Sequence, residues 1–353
     1  MRILGIESSC DETAAAVVDN GARILSNVIA SQFDLHRPFG GVVPEVAARA
    51  HAEKITAVID EALAQANTAG AQIDAISAVN RPGLVGSLLV GVSAAKALAL
   101  AWRKPLIGVD HIQGHVYASM LAGFKRLPHV ALIVSGGHTS LYKVEAAERA
   151  SVIGQTADDA AGEAFDKVAK MLNLGFPGGP ALSKLAAGAL PEARGLFKHI
   201  SAMAAADRKD ELDFSFSGLK TAVYYHLRGT SQGRGALRTL SEDERIAVAA
   251  SFEETACEIM VTKTMQACER YSIPAAAIGG GVACNRCLRE MFQERAARTR
   301  INGQSVEVFF PPPVLCTDNA AMSAGLAFHL YNSGGASGLD LDADPTPQRA
   351  WTE

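Results

Sequence analysis

Aromatic residues make up only 6% of the 353-residue chain, which argues against an all-β sandwich and its large packed rings. No charge of one sign dominates: the net charge is −4, so the chain is not a generally basic, nucleic-acid-coating protein. No charged segment leads into an apolar core at the N-terminus, so no secretory leader is expected. Long apolar runs are missing too. The closest, about Leu84 to Trp102, is interrupted by Ser87, Ser93 and Lys96, and no membrane span is expected. The six cysteines are scattered, and Cys284-Asn285-Arg286-Cys287 has no second pair at zinc-ribbon spacing. Reduced thiols and a cytoplasmic location are expected. Neither a G-x-G-x-x-G unit nor a Walker loop occurs.

What is present is apolar and finely divided. Hydrophobic residues account for 48% and charged residues for 20%, with abundant Ala and Gly, which points to closely packed α/β layers. The length favours two domains. Strands are expected at 3–8, 13–19 and 23–30, then a helix at 43–66, a strand at 73–79, a helix at 84–102 and a strand at 106–109. A second series follows, with strands at 130–135, 139–144 and 151–155, a helical insertion at about 160–270, a strand at 275–278, a helix at 284–298, a strand at 306–311 and a helix at 318–331. Two copies of β-β-β-α-β-α-β-α emerge. This is the pattern of the actin, Hsp70 and sugar-kinase superfamily, an α/β fold with two duplicated domains around a central nucleotide cleft. The expected domains are 1–110, completed by the helix at about 318–332, and 111–317, with 333–353 a loose tail.

His111 and His115 are four apart in a helical run, so both imidazoles can share one face and one metal ion. Two unrelated histidines at that spacing are the plain alternative. The Glu that follows the first His in zinc peptidases is absent. Asp318 is a candidate third ligand, or else it or Thr317 is an ordinary helix cap. The repeat puts the histidine pair and Asp318 on opposite sides of one cleft. Two imidazoles and one carboxylate with open positions suit Fe(II), and Zn(II) nearly as well.

Val134-Ser135-Gly136-Gly137-His138 ends a strand in glycines and donors, which suits a phosphate or carboxylate as well as a hairpin turn. The acidic residues of Gly162–Lys167 near a helix start are accounted for by macrodipole compensation, Gly175–Pro180 reads as a helix terminator or a close approach to a ligand, and the Gly279-Gly280-Gly281 turn before Asn285 lets a flat ligand lie on the backbone. Arg286, Arg289, Arg295, Arg298 and Arg300 form either an RNA-facing patch or a solvated helix face.

Together these segments resemble the TsaD family of tRNA-modifying enzymes over about residues 1–335. The matching stretches are Gly5–Thr13, His111-Ile112-Gln113-Gly114-His115, Ser135–Thr139, Gly162–Lys167, Pro177–Pro180, Phe214–Lys220, Gly280–Val282 with Asn285, and Cys316–Asn319. The resemblance implies an enzyme of threonylcarbamoyladenosine biosynthesis. It would move the threonylcarbamoyl group from threonylcarbamoyl-adenylate to the N6 amine of adenosine 37 in tRNAs reading ANN codons, with AMP leaving. It implies that His111, His115 and Asp318 hold the metal and that Val134, Ser135, Gly136, Gly137 and His138 hold the phosphate end. Asp166, Gly179 and Asn285 would contact the nucleoside, with Asp11 and Glu12 at the reacting centre. A shorter paralogous TsaB-like subunit and a small TsaE-like ATPase are the implied partners. Ser183 departs from the pattern, because many members place an Asp there that contacts the ribose. The rival readings are a kinase of the same superfamily, a metallopeptidase and a non-enzymatic scaffold. Imidazole ligands disfavour the kinase, the missing Glu the peptidase, and an intact His111, His115 and Asp318 set the scaffold.

Overall fold

The computed structural model describes residues 1–201, 212–228 and 240–346. In chain order, the first strands are β1 (Arg2–Glu7), β2 (Glu12–Asp19) and β3 (Arg23–Ser31), followed by α1 (Phe33–His36) and α2 (Pro44–Gln65). Then come β4 (Ala75–Arg81), α3 (Val85–Trp102), β5 (Leu106–Asp110) and α4 (His111–Leu121). A second series opens with β6 (His129–Val134), β7 (Thr139–Ala146) and β8 (Arg149–Gln155), leading to α5 (Ala161–Met171), α6 (Gly178–Ala186), α7 (Ser217–Arg228) and α8 (Glu242–Arg270). It continues with β9 (Ala275–Gly279), α9 (Arg286–Arg298), the short pair β10 (Arg300–Ile301) and β11 (Gln304–Ser305), and β12 (Glu307–Phe309). The last helices are α10 (Pro313–Cys316) and α11 (Ala320–Asn332).

Two compact units result: 1–127 with 144–151 and 310–353, and 128–143 with 152–309. The sheet order is β3-β2-β1-β4-β5 in the first and β8-β7-β6-β9-β12 in the second, so both carry the order third-second-first-fourth-fifth. In the first sheet β1 pairs antiparallel with β2 and parallel with β4, and β4 pairs parallel with β5. In the second, β9 is parallel to both β6 and β12. The duplication expected from the sequence is present strand for strand.

In the first unit the side-chain period of two sorts the core cleanly. Ile3, Ala14, Ala16, Val18, Ile107 and Val109 pack with α4 and α11 on one face. Leu4, Ile6, Ala15, Val17, Ile76 and Ala78 pack with α2 and α3 on the other. Central strands covered on both faces read as continuous apolar runs, as 3–6 and 14–18 do. Gly5 is required where α11 crosses β1, because a Cβ there would stand 2.6 Å from the Ala320 carbonyl oxygen and 2.8 Å from the Ala324 Cβ. That contact fixes where the chain before α11 lies, and so where Asp318 lies.

α3 is long and apolar enough to cross a membrane by length and composition, in contrast to the expectation from its polar interruptions. It is the crossover between the parallel strands β4 and β5, with Ser87, Leu88, Val92, Ala95 and Ala99 buried.

Two expectations about organisation are corrected. The division falls after residue 127 rather than 110, because α4 packs on α11 and belongs to the first unit. The segment after 332 is tied down as far as it is described. Ser337 bridges Leu106, its Oγ accepts from the Gly108 N–H at 3.1 Å, and Asp344 N–H donates to the Asn80 carbonyl at 2.8 Å. The Ser337 contacts cover part of the open edge of β5, which a bare strand would leave unpaired, and the Asp344 bond reaches the end of β4. Residues 347–353 lie outside the described residues.

Candidate active site

The histidine pair is placed by a local device. Asp110 ends β5 and caps α4, its carboxylate accepting from the N–H groups of Ile112 at 2.8 Å and Gln113 at 3.0 Å. His111 is then the first helical residue and His115 stands one turn on, with ring centroids 4.6 Å apart. Both rings are buried.

Asp318 meets them, its Oδ1 lying 3.1 Å from His115 Nε2 and 3.6 Å from His111 Nε2. The alternative that Thr317 or Asp318 caps α11 is overturned. Asn319 is the cap, accepting from Met322 N–H at 3.0 Å, which leaves the Asp318 carboxylate to the histidines. All three groups belong to the first unit, so the expectation that they come from opposite sides of a cleft is also corrected. The physical reason is the return of the chain after β12 to pack α11 on the first sheet.

One residue of this site was given no role from the sequence. Glu7, at the end of β1 and fully buried, sets its Oε2 2.9 Å from His111 Nδ1, while its Oε1 accepts from Ser9 N–H at 2.6 Å. A carboxylate behind one imidazole nitrogen fixes the ring and turns the other nitrogen to the site, as in carboxylate–histidine–metal triads. Its only signal in the sequence is an acidic residue ending an otherwise apolar strand. Burial by itself would lower the His111 pKa, but Asp318 and Glu7 outweigh it and push the group up to about 9. The pocket therefore favours a cation.

A ligand atom from each of His111, His115 and Asp318 lies within 4.8 Å of the others, and the same holds for Asp11, Glu12 and Asp318. Two imidazoles and a carboxylate in that compass fit a divalent ion. Glu12, which accepts from the Ser31 hydroxyl at 2.9 Å, is pushed up to about 8 by burial and then by Asp11 and Asp318.

In the second unit, the turn after β6 is closed by Ser135 N–H donating to the His138 carbonyl at 2.8 Å and His138 N–H donating to Ser135 Oγ at 3.2 Å. A Cβ at Gly136 or Gly137 would meet nothing within 4 Å, and neither glycine has a left-handed φ. The fold itself does not demand glycine there. Bare backbone N–H groups with open space suit an anion. Gly280 differs: its φ is +87° and a Cβ would collide with the Val134 carbonyl, so it lets the β9 turn lie against the end of β6.

The other expected contacts sit nearby in the same unit. Asp166 Oδ1 accepts from Gly178 N–H at 2.7 Å and the carboxylate also bonds Gly179, with burial raising its pKa against those bonds. Asn285 caps α9 through Leu288 N–H at 2.9 Å. The Phe214–Lys220 stretch has a structural task. Asp158 gathers Phe216 N–H and the Ser215 and Ser217 hydroxyls, and Asp159 pairs with Lys167 and Lys220. Among the described residues no metal-ligand cluster forms at Cys284 and Cys287, and all six cysteines are free thiols. In the arginine run, Arg295 pairs with Glu258 and Arg286 with Glu290.

The fold defines an actin/Hsp70/sugar-kinase-like protein with a histidine–carboxylate group whose donors fit a divalent cation. Solved structures agree on the fold. The T. kodakarensis HypF structure superposes with a TM-score of 0.60 at 13% identity, over 96% of this chain and 49% of that one. Component A of the Acidaminococcus fermentans (R)-2-hydroxyglutaryl-CoA dehydratase gives 0.53 at 14%, over 94% and 98%.

Sequence comparison is narrower. Residues 23–325 match the family model TsaD, tRNA N6-adenosine threonylcarbamoyltransferase. Proteins of that name from Symbiobacterium thermophilum and Syntrophotalea carbinolica are 49% and 46% identical, covering 97% and 100% of this chain and 95% and 99% of theirs. The chain belongs to the TsaD family, and it is a transferase of tRNA threonylcarbamoyladenosine biosynthesis.

Proposed function

We propose that the donor is threonylcarbamoyl-adenylate and the acceptor the N6 amine of adenosine 37 in tRNAs reading ANN codons. The amine nitrogen attacks the carbamoyl carbon, the bond from that carbon to the adenylate phosphate oxygen breaks, and AMP leaves. The observation that carries this reading is the His111–His115–Asp318 group, both imidazoles buried and Glu7 behind His111, in a member of this transferase family.

Those three residues would hold one divalent ion, Fe(II) in preference to Zn(II), and that ion when bound supplies a Lewis acid beside the acyl centre. Asp11 and Glu12 orient the incoming amine and take its proton. Their closeness to Asp318 supports the assignment. Ser135, Gly136, Gly137 and His138, with Val134 ending the strand, bind the phosphate end and hold the departing anion. Asp166, Gly179 and Asn285 belong to the nucleoside end.

A TsaB-like paralogue and a TsaE-like ATPase are the partners in this reading. The exposed apolar side chains Val85, Leu89 and Leu100 on α3 offer a partner subunit an apolar face. The location that matches a tRNA substrate is the cytoplasm.

The test is to incubate the protein, with and without those partners, with threonylcarbamoyl-adenylate and unmodified tRNA, and to analyse the nucleosides by mass spectrometry. Threonylcarbamoyladenosine is expected, and a His115→Ala variant should lose about a hundredfold or more in rate together with its bound metal. A variant that sheds the metal yet keeps its rate would overturn the metal assignment.

A further inference from the structure

Ser183 leaves the nucleoside end without the carboxylate that a ribose diol calls for, yet a carboxylate stands 2.6 Å away. Ser183 Oγ donates to Glu253 Oε1 at that distance, across from α6 to α8. The Asn285 amide completes the cluster, its Nδ2 donating to the same Oε1 at 2.7 Å and to Ser183 Oγ at 3.0 Å. Its Oδ1 accepts from Leu288 N–H. With Cys257 Sγ also donating to Oδ1 at 3.9 Å, both ends of the Asn285 amide are engaged, and the Ser183 hydroxyl has spent its proton. Neither is left with a hydrogen to offer.

Glu253 is the member with capacity to spare. It is 5% exposed, its Oε1 takes both bonds, and its Oε2 accepts no hydrogen bond from any described residue. The Glu253 Oε2 atom is not among the fully buried oxygens that lack a partner, so an incoming donor can reach it, and an ionised carboxylate oxygen has lone pairs to accept from one. The cluster joins α6, which starts at Gly178 and Gly179 under Asp166, to Asn285 after the Gly279-Gly280-Gly281 turn. A ribose presents two adjacent hydroxyl donors, and a carboxylate is the acceptor that matches them.

We propose that Glu253 accepts the ribose hydroxyls of the adenylate donor and of product AMP, reaching from α8 to replace a carboxylate at position 183. Asn285 acts as the positioning residue that holds Glu253 and Ser183 in place. The proposal rests on the reading of this unit as the nucleoside-holding side.

The experiment measures binding of AMP and of 2′,3′-dideoxy-AMP to the full chain by calorimetry, with thermal melting as the folding check. The wild type is expected to prefer AMP by about tenfold or more, the scale of a hydrogen bond to a charged group. Glu253→Gln should remove that preference by weakening AMP alone, and adding Ser183→Asp to it should bring the preference back. Should Glu253→Gln fold poorly, Glu253→Asp, which keeps the charge but retracts it by one methylene, is expected to show an intermediate preference. A preference unchanged in Glu253→Gln, or in Glu253→Asp in its stead, overturns the role of Glu253 while leaving the nucleoside site standing. A wild type that binds AMP and dideoxy-AMP alike overturns the ribose contact altogether. Failure of the wild type to bind AMP overturns the nucleoside reading itself.

Discussion

The first turn of each unit occupies the same place in the same strand order, and the two turns are chemically opposite. After β1 the chain runs Glu7-Ser8-Ser9-Cys10-Asp11-Glu12, with Glu7, Ser8 and Ser9 buried and engaged. Ser8 Oγ donates to the Ser87 carbonyl at 2.8 Å, and Glu7 and Ser9 both reach His111. After β6 it runs Ser135-Gly136-Gly137-His138, with both glycines exposed and clear of neighbours. One backbone scaffold thus carries two opposite chemistries. The acidic turn makes a field for a cation, and the bare turn leaves N–H groups for an anion.

The comparison breaks most visibly at the glycines. Changing both Gly136 and Gly137 to Ala should leave stability within about 0.5 kcal/mol, because each new methyl meets nothing in the free protein. The same change should raise KM for the adenylate donor by about tenfold to a hundredfold if an anion approaches the bare backbone. Thermal melting beside steady-state kinetics reads both. A large stability loss would mean that the glycines serve the fold, and the contrast between the turns would disappear.

Glu7→Gln tests the other turn. The substitution keeps the shape but removes the charge behind His111, and metal affinity should fall by about tenfold to a hundredfold. Competition with a chelator measures it, and an unchanged affinity would make Glu7 a structural residue only. The smallest effect belongs to the shared logic of capping. Asp110→Ala should cost about 1 kcal/mol by denaturant unfolding through loss of the α4 cap, with only a modest change in metal affinity. A loss of metal equal to that of His115→Ala would show that the cap, more than Glu7, orients the pair.

Local features were legible from the residues alone. The strands, the crossover helices and their duplication follow from runs and periods that a short window contains, and the His111–His115 pair follows from helix geometry. Less legible was which carboxylate does what. Thr317, Asp318 and Asn319 are all plausible caps, and only the packing of α11 on β1 assigns the cap to Asn319 and frees Asp318. The docking of Ser337 on β5 and of Asp342 and Asp344 on Asn80 of β4 is illegible for a similar reason: a Gly- and Asp-rich segment carries no periodicity, and its partners lie far away in sequence.

The sequence by itself determined the family, the strand order's raw material and the helical pairing of His111 with His115, because each depends on neighbours within a few residues. Tertiary structure decided the rest of the pocket. Glu7 meets His111 across 104 residues and Asp318 meets His115 across 203, while Glu253 meets Ser183 across 70. No local pattern encodes such meetings. They arise when strands pair and helices cross, and a buried charge then takes the partner that burial leaves within reach.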